Sequence, residues 1–226
     1  MSNLESLCIR VDKVYDWVTR QVNKEYNFNG VNGLADLAFT CNGTPDDNPC
    51  ELLGPNEDFI VTVIPTDENG NEIPLNEIEC SQVGLREDVF VPELDTELQL
   101  VRIKKQGFFV VELRIDPNFP PVCVSAPISY CIFERFLLCA PEGTVINCHV
   151  FDFDGSGAVC CANGEFIDLT LELLICQSIQ VEAEVKIEVE GRLCKPREDI
   201  ILPIERVCPE ITFPPQCPEI FPPANH

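Results

Sequence analysis

Fourteen cysteines and two histidines are the residues of this 226-residue chain best equipped for chemistry. Thiolates bind zinc, attack electrophiles and exchange disulfides, so their spacing decides between these uses. Structural zinc sites favour Cys-x2-4-Cys pairs with a His partner. Here Cys123, Cys131, Cys139 and Cys148 follow one another in steps of eight, eight and nine, and no Cys-x-x-Cys occurs. Cys148-His149 has nothing else at ligand spacing. A disulfide oxidoreductase needs the same missing motif. A Ser or Cys nucleophile would have to rely on His149, because the other histidine is the C-terminal His226. No nucleophile elbow, phosphate loop or His-Glu-x-x-His motif is present. The expectation is a non-enzyme without metal or cofactor.

Cross-linking and packing are then the chemistry left to the thiols. Cysteines on neighbouring strands can reach the Cα separation of about 5.5 Å that a disulfide needs. The even steps through Cys123, Cys131 and Cys139 fit that use, with some thiols packing as small hydrophobes instead. The adjacent pair Cys160-Cys161 is the most distinctive local feature. Successive strand residues point to opposite faces. One of the two would therefore bond within the domain and the other across a subunit boundary.

Asp152-Phe-Asp154-Gly-Ser156-Gly157 resembles the opening of a calcium loop, with oxygens at Asp152, Asp154 and Ser156 and glycine at the sixth position. Asn163 stands where the bidentate Glu belongs, so an acidic β-turn is the stronger expectation.

The elements that must hold these residues read as strands. Val181–Glu190 alternates apolar and charged residues without a fault, and Phe166–Ile175 does so less cleanly. Leu98–Ile103 and Phe108–Ile115 flank Lys104-Lys-Gln-Gly107 as a hairpin. Asp58–Ile64 leads through Pro65 to a turn at Asp67-Glu-Asn-Gly70. Cys8–Val18 alternates as well, while Trp17–Tyr26 admits a short helix. With 19 Pro and 12 Gly supplying breakers, the fold class is mostly β, an antiparallel sandwich or jelly-roll.

Ten of the cysteines lie between Cys123 and Cys217, and Asp116-Pro-Asn-Phe-Pro-Pro121 precedes them. This places a boundary near residue 118, with an N-terminal β region at 1–118 and a cysteine-rich β domain at 119–205. Residues 206–226 form a Pro-rich tail. It carries a tandem repeat, Cys208-Pro-Glu-Ile-Thr-Phe-Pro-Pro then Cys217-Pro-Glu-Ile-Phe-Pro-Pro, expected to be extended near polyproline II. Cys208 and Cys217 are the first candidates for intermolecular bonds, Cys160 and Cys161 the second, Cys8 the third.

The net charge is −23, with −13 in residues 1–118 and −10 in the rest. Phosphate binding needs Lys and Arg to displace counterions, so nucleic acid is a poor partner, and an anionic membrane surface is disfavoured likewise. No run reaches the 18 apolar residues of a membrane span. Cysteine at this density belongs to oxidising compartments, yet the N-terminus lacks the basic and apolar regions of a secretory signal. The expectation is synthesis in a cytosol and later oxidation.

This combination, with the double Cys and the Cys-bearing repeat, resembles the cysteine-rich structural proteins of endospore coats, exosporium layers and spore appendages, and the opening Cys8-Ile-Arg-Val-Asp-Lys-Val-Tyr-Asp-Trp-Val18 resembles one seen in uncharacterised proteins of spore-forming bacteria. That resemblance implies manufacture in the mother-cell cytosol without a signal peptide, and assembly with itself and other envelope proteins at the spore surface. It also implies a layer or fibre stabilised by disulfides. Strand edges and the tail would supply non-covalent docking by strand addition. The alternatives are a disulfide-rich surface binding module and a cytosolic metal- or thiol-binding protein.

Overall fold

A computed structural model describes residues 5–45, 47–54 and 57–191. The chain divides into two units, Cys8–Ile187 and a terminal one combining Met1–Leu7 with Glu188–His226. Of the terminal unit, the described part is the start of one strand and the end of another, where the Ser6 hydroxyl donates to the Glu188 carboxylate. The repeat tail, with Cys208 and Cys217, lies outside the described residues.

The larger unit is mostly β and antiparallel. Three long strands, β1 (Glu5–Asn29), β9 (Val145–Ala162) and β10 (Glu165–Gly191), form one sheet in the order β1-β10-β9. The seven-stranded sheet contains β2 (Thr40–Cys41), β3 (Ile60–Thr66), β4 (Glu79–Gln82), β5 (Glu87–Val91), β6 (Thr96–Arg114), β7 (Cys123–Val124) and β8 (Ile128–Leu138). Its hub is β6, which takes β5, β4 and β3 in succession along one edge and β8 and β7 along the other. A helix α1 (Gly30–Leu37) closes the end of β1.

Alternation builds the core. Leu169, Leu171, Leu173 and Ile175 point from β10 onto Phe109, Val111 and Leu113 of β6, all fully buried. A second apolar cluster holds Val101, Ile103, Phe136, Leu138, Ile179 and Val181. Contacts between the sheets place β9 over β3 and β4, and β1 beside β8. Along β1 the side-chain partners descend β10 as the number rises: Trp17 with Ser178, Asn23 with Glu172, Asn27 with Thr170. That pair is therefore antiparallel.

Several expectations need correction. Leu98–Ile103 and Phe108–Ile115 are not two arms of a hairpin but one strand, β6. Two residues of the supposed turn explain this. Lys105 is fully buried with an acidic partner. Gly107 pairs across the ladder with Tyr130, whose hydroxyl would sit 2.9 Å from any Cβ there. The strands read at Phe166–Ile175 and Val181–Glu190 are likewise one, β10, carried past register shifts at Phe166/Asp168 and Cys176/Gln177. Trp17–Tyr26 is strand rather than helix. Val18, Val22 and Tyr26 mimic a helical face, but they and Phe28 reach the apolar clusters from even positions of one strand, with Arg20 between them over the Phe136 ring at 3.8 Å.

The larger unit also runs straight across residue 118 instead of breaking there. Asp116 accepts from Asn118 N and, through its carbonyl, from Phe119 N, so the Pro-rich segment makes a tight turn between β6 and β7. The turn at Asp67–Gly70 forms as read: the Asp67 carboxylate accepts from the backbone of Asn69 and Asn71, and Gly70 takes φ +83°. The Asn71 side-chain amide, which also donates to the carboxylate, and then those backbone bonds hold the Asp67 carboxyl below the usual carboxylate range.

Candidate functional site

Side-chain direction sorts the described cysteines into two sets. Three pairs are bonded: Cys41–Cys123, Cys50–Cys161 and Cys80–Cys148. All six point inward or sit at the buried ends of the sheets, packed on the two apolar clusters. Five are free, namely Cys8, Cys131, Cys139, Cys160 and Cys176. These five stand on outward positions, four exposed and Cys176 half-buried.

Cys160 and Cys161 display the rule at adjacent positions. On β9 they face opposite ways: Cys161 bonds to Cys50 in a 3-10 turn (Pro49–Leu52), and Cys160 stays free on the outer face. Of the expected intermolecular candidates, Cys161 is therefore occupied within the chain, while Cys160 and Cys8 are exposed thiols. The run Cys123, Cys131, Cys139 does not pair among itself. Cys123 is taken by its register partner Cys41, and the other two lie outward on or just past β8. Direction, not spacing, decides the outcome.

The bonded pairs are also placed to hold the sandwich shut. Two of them anchor β9, an edge strand of its sheet, to parts that precede β6 in the chain: the 3-10 turn at one end and β4 at the other. Cross-links closing loops this long restrict the unfolded chain and contribute about 4 kcal/mol each through its lost entropy.

Beside Cys80–Cys148 lies a buried polar group that separates the two apolar clusters. The Lys105 ammonium contacts the Glu134 carboxylate and donates to Gln177 Oε1 at 2.6 Å. The Gln177 amide donates to the same carboxylate, and Arg20 approaches its other oxygen at 3.6 Å. Burial pulls Lys105 down from the ordinary lysine range, opposed by the pairing with Glu134. Its members come from β1, β6, β8 and β10, so it fixes the register of four strands at one point. Nothing in the spacing of these residues signals it; a lysine interrupting the inward side of β6 is the only trace.

Asp152, Asp154 and Ser156 form neither a calcium loop nor an acidic turn, because β9 runs through them. A strand sets same-face residues about 7 Å apart, too far for three to ring one cation. The motif is instead a packing device. Its intervening Gly155 and Gly157 face inward, where a Cβ would collide with the Val63 side chain in the first case and lie 2.5 Å from the Thr170 carbonyl in the second. The glycines let β3 approach β9 closely. Outward, Asp152 lies opposite Cys176 in the ladder. Burial first, and then the Asp152 charge, push the Cys176 thiol up.

His149, the one histidine among the described residues, is exposed on the outer face of β9 opposite Ser178. The free edge of β8 is covered by side chains of β1: Asp16 accepts from Cys139 N, and Arg20 donates to the Arg135 carbonyl. One strong signal went unused in the sequence. Asn163-Gly164 is a two-residue hairpin turn joining β9 to β10, with both residues at positive φ. No protein-family model, curated protein or solved structure matches this chain.

Proposed function

We propose that the chain is a non-catalytic, self-assembling structural subunit of a disulfide-stabilised spore surface layer or fibre. The observation that carries this reading is the division of the cysteines among the described residues: those facing inward are bonded, and those facing outward are free. A subunit so built can be folded and internally stapled while keeping reactive groups for its neighbours. Each new link joins two thiols from different copies. Two protons and two electrons pass to an oxidant, either dioxygen or a small-molecule disulfide acting by exchange. In a reducing mother-cell cytosol both sets of cysteines would stay thiols, and oxidation at the spore surface would close the internal pairs and the links between copies. The partners are further copies and other envelope proteins.

Disulfide mapping by mass spectrometry on native assemblies tests the proposal. The expected result is intermolecular links at Cys131, Cys139, Cys160 or Cys8, and at Cys208 and Cys217, beside the three internal bonds. Monomer alone on non-reducing gels of native material would overturn it. Stoichiometric zinc in anaerobically purified protein would favour the metal-binding alternative.

A further inference from the structure

The two outer faces of the sandwich differ in chemistry. On the seven-stranded sheet, alternation along β8 turns Cys131, Phe133, Arg135 and Leu137 outward, and Phe133 and Leu137 are 66% and 44% exposed. Across the ladder Lys104 stands opposite Phe133 and Arg102 opposite Arg135. Arg102 has a partner, Glu87 at 2.6 Å. Lys104 and Arg135 have no carboxylate partner among the described residues. Two unpaired cations on an apolar strip are a notable placement in a chain of charge −23.

On the three-stranded sheet, the outer surface of β9 and of the adjoining part of β10 is the reverse, the cations of that sheet lying on β1 and at Lys186. No Lys or Arg occurs anywhere from residue 136 to residue 185, a stretch that includes all of β9 and most of β10. Asp152, Asp154, Asp168 and Glu172 line that outer face. Cys160 stands on it exposed, as Cys131 does on the opposite side of the molecule.

We infer that the outer face of the seven-stranded sheet in one copy docks on the outer face of the three-stranded sheet in the next. Like surfaces pair less well: two β9–β10 surfaces repel through their carboxylates, and two β6–β8 strips would set Lys104 and Arg135 against their own copies. The carboxylates of that side, Glu79, Glu87 and Glu112, lie along β4, β5 and β6, with Glu87 and Glu112 already paired. The contact is therefore head-to-tail, and a heterologous contact that does not close generates an open polymer. It rests on the self-assembly reading above and supplies that reading with its non-covalent step. Docking comes first, and it brings outward thiols of successive copies together. The structure favours this mode over strand addition at β8, whose free edge is already covered by Asp16 and Arg20.

The test uses full-length chains in which one outward thiol, Cys131 or Cys160, is kept and every other cysteine outside the three disulfides is changed to Ser. Treated with a short bismaleimide, the mixture of the two chains should give covalent dimers, and each chain alone should give at most a tenth as much. Charge reversal provides an independent arm. Lys104→Glu with Arg135→Glu should weaken self-association at least tenfold in sedimentation at low salt. Asp154→Lys with Glu172→Lys should weaken it similarly, and the two variants mixed should associate again. Equal cross-linking in the unmixed samples, or association unmoved by charge reversal, would overturn the head-to-tail contact, as would a wild-type chain that stays monomeric throughout. Covalent polymer in native material alongside either of the first two results would leave the structural role standing and remove this contact alone.

Discussion

Within the described residues, the space between the sheets and the faces turned to solvent draw on the same strands and often on adjacent residues. Inside, β9 contributes Phe153, Gly155, Gly157 and Cys161; outside, it presents Asp152, Asp154, Ser156 and Cys160. The interior tolerates no freedom: thiols are bonded, glycines are fitted against β3, and the lysine is paired. The exterior keeps its thiols unbonded and its carboxylates mostly unpaired. A period-2 chain thus encodes two separate tasks in alternate letters, one for folding and one for what the folded unit meets.

Substitutions can break or sharpen that contrast. The largest effect belongs to the interior disulfides. Replacing both Cys50 and Cys161 by Ala, which opens a sequence separation of 111 residues, should cost about 4 kcal/mol in urea unfolding. Next comes the buried ion pair: Lys105→Met should cost about 3 kcal/mol by stranding Glu134, and adding Glu134→Leu should restore most of it. Gly155→Val should cost about 2 kcal/mol through overpacking against Val63, whereas Ser156→Val one residue on should stay within about 0.5 kcal/mol. Equal losses for those two variants would refute the inside–outside division of β9.

Outward thiols lie at the small end. Cys131→Ser and Cys160→Ser should each leave stability within about 0.5 kcal/mol while reducing cross-linked material on non-reducing gels. Smallest of all is a pH effect. Cys176 should alkylate with a midpoint above that of an ordinary thiol, because its neutral form is favoured by burial and by Asp152. Asp152→Asn should bring that midpoint down, as followed by iodoacetamide labelling across pH.

Much of this was legible in the residues. The strand at Val181–Glu190, the Asp67–Gly70 turn and the opposed directions of Cys160 and Cys161 all follow from local rules, and all are found, although Ile187 is exposed on a side read as buried. What escaped depends on distant partners. Lys104–Gly107 looks like a turn because a lysine pair and a glycine are hydrophilic and permissive. Only Glu134, 29 residues away, and the Tyr130 ring make them strand. Disulfide pairing was beyond reach for the same reason, since Cys41 finds Cys123 through the pairing of β2 with β7, two strands of two residues each. The aspartate-glycine motif misled because an oxygen-rich run with glycine has two physical uses, and close sheet packing is the one adopted here.

The Cys50–Cys161 bond has a mechanical consequence. Tension applied to a subunit at Cys8 and Ile187 would travel along the chain to Cys50, cross the disulfide, and continue from Cys161. The residues between them would be bypassed, hiding roughly 400 Å of extensible contour at full chain extension. A subunit pulled in this way would lengthen only through residues 8–50 and 161–187, roughly 240 Å at full extension, before its covalent bonds carried the load. The extension of such a subunit would thus be bounded, with more than half of the pulled chain held back from unravelling until a bond ruptures.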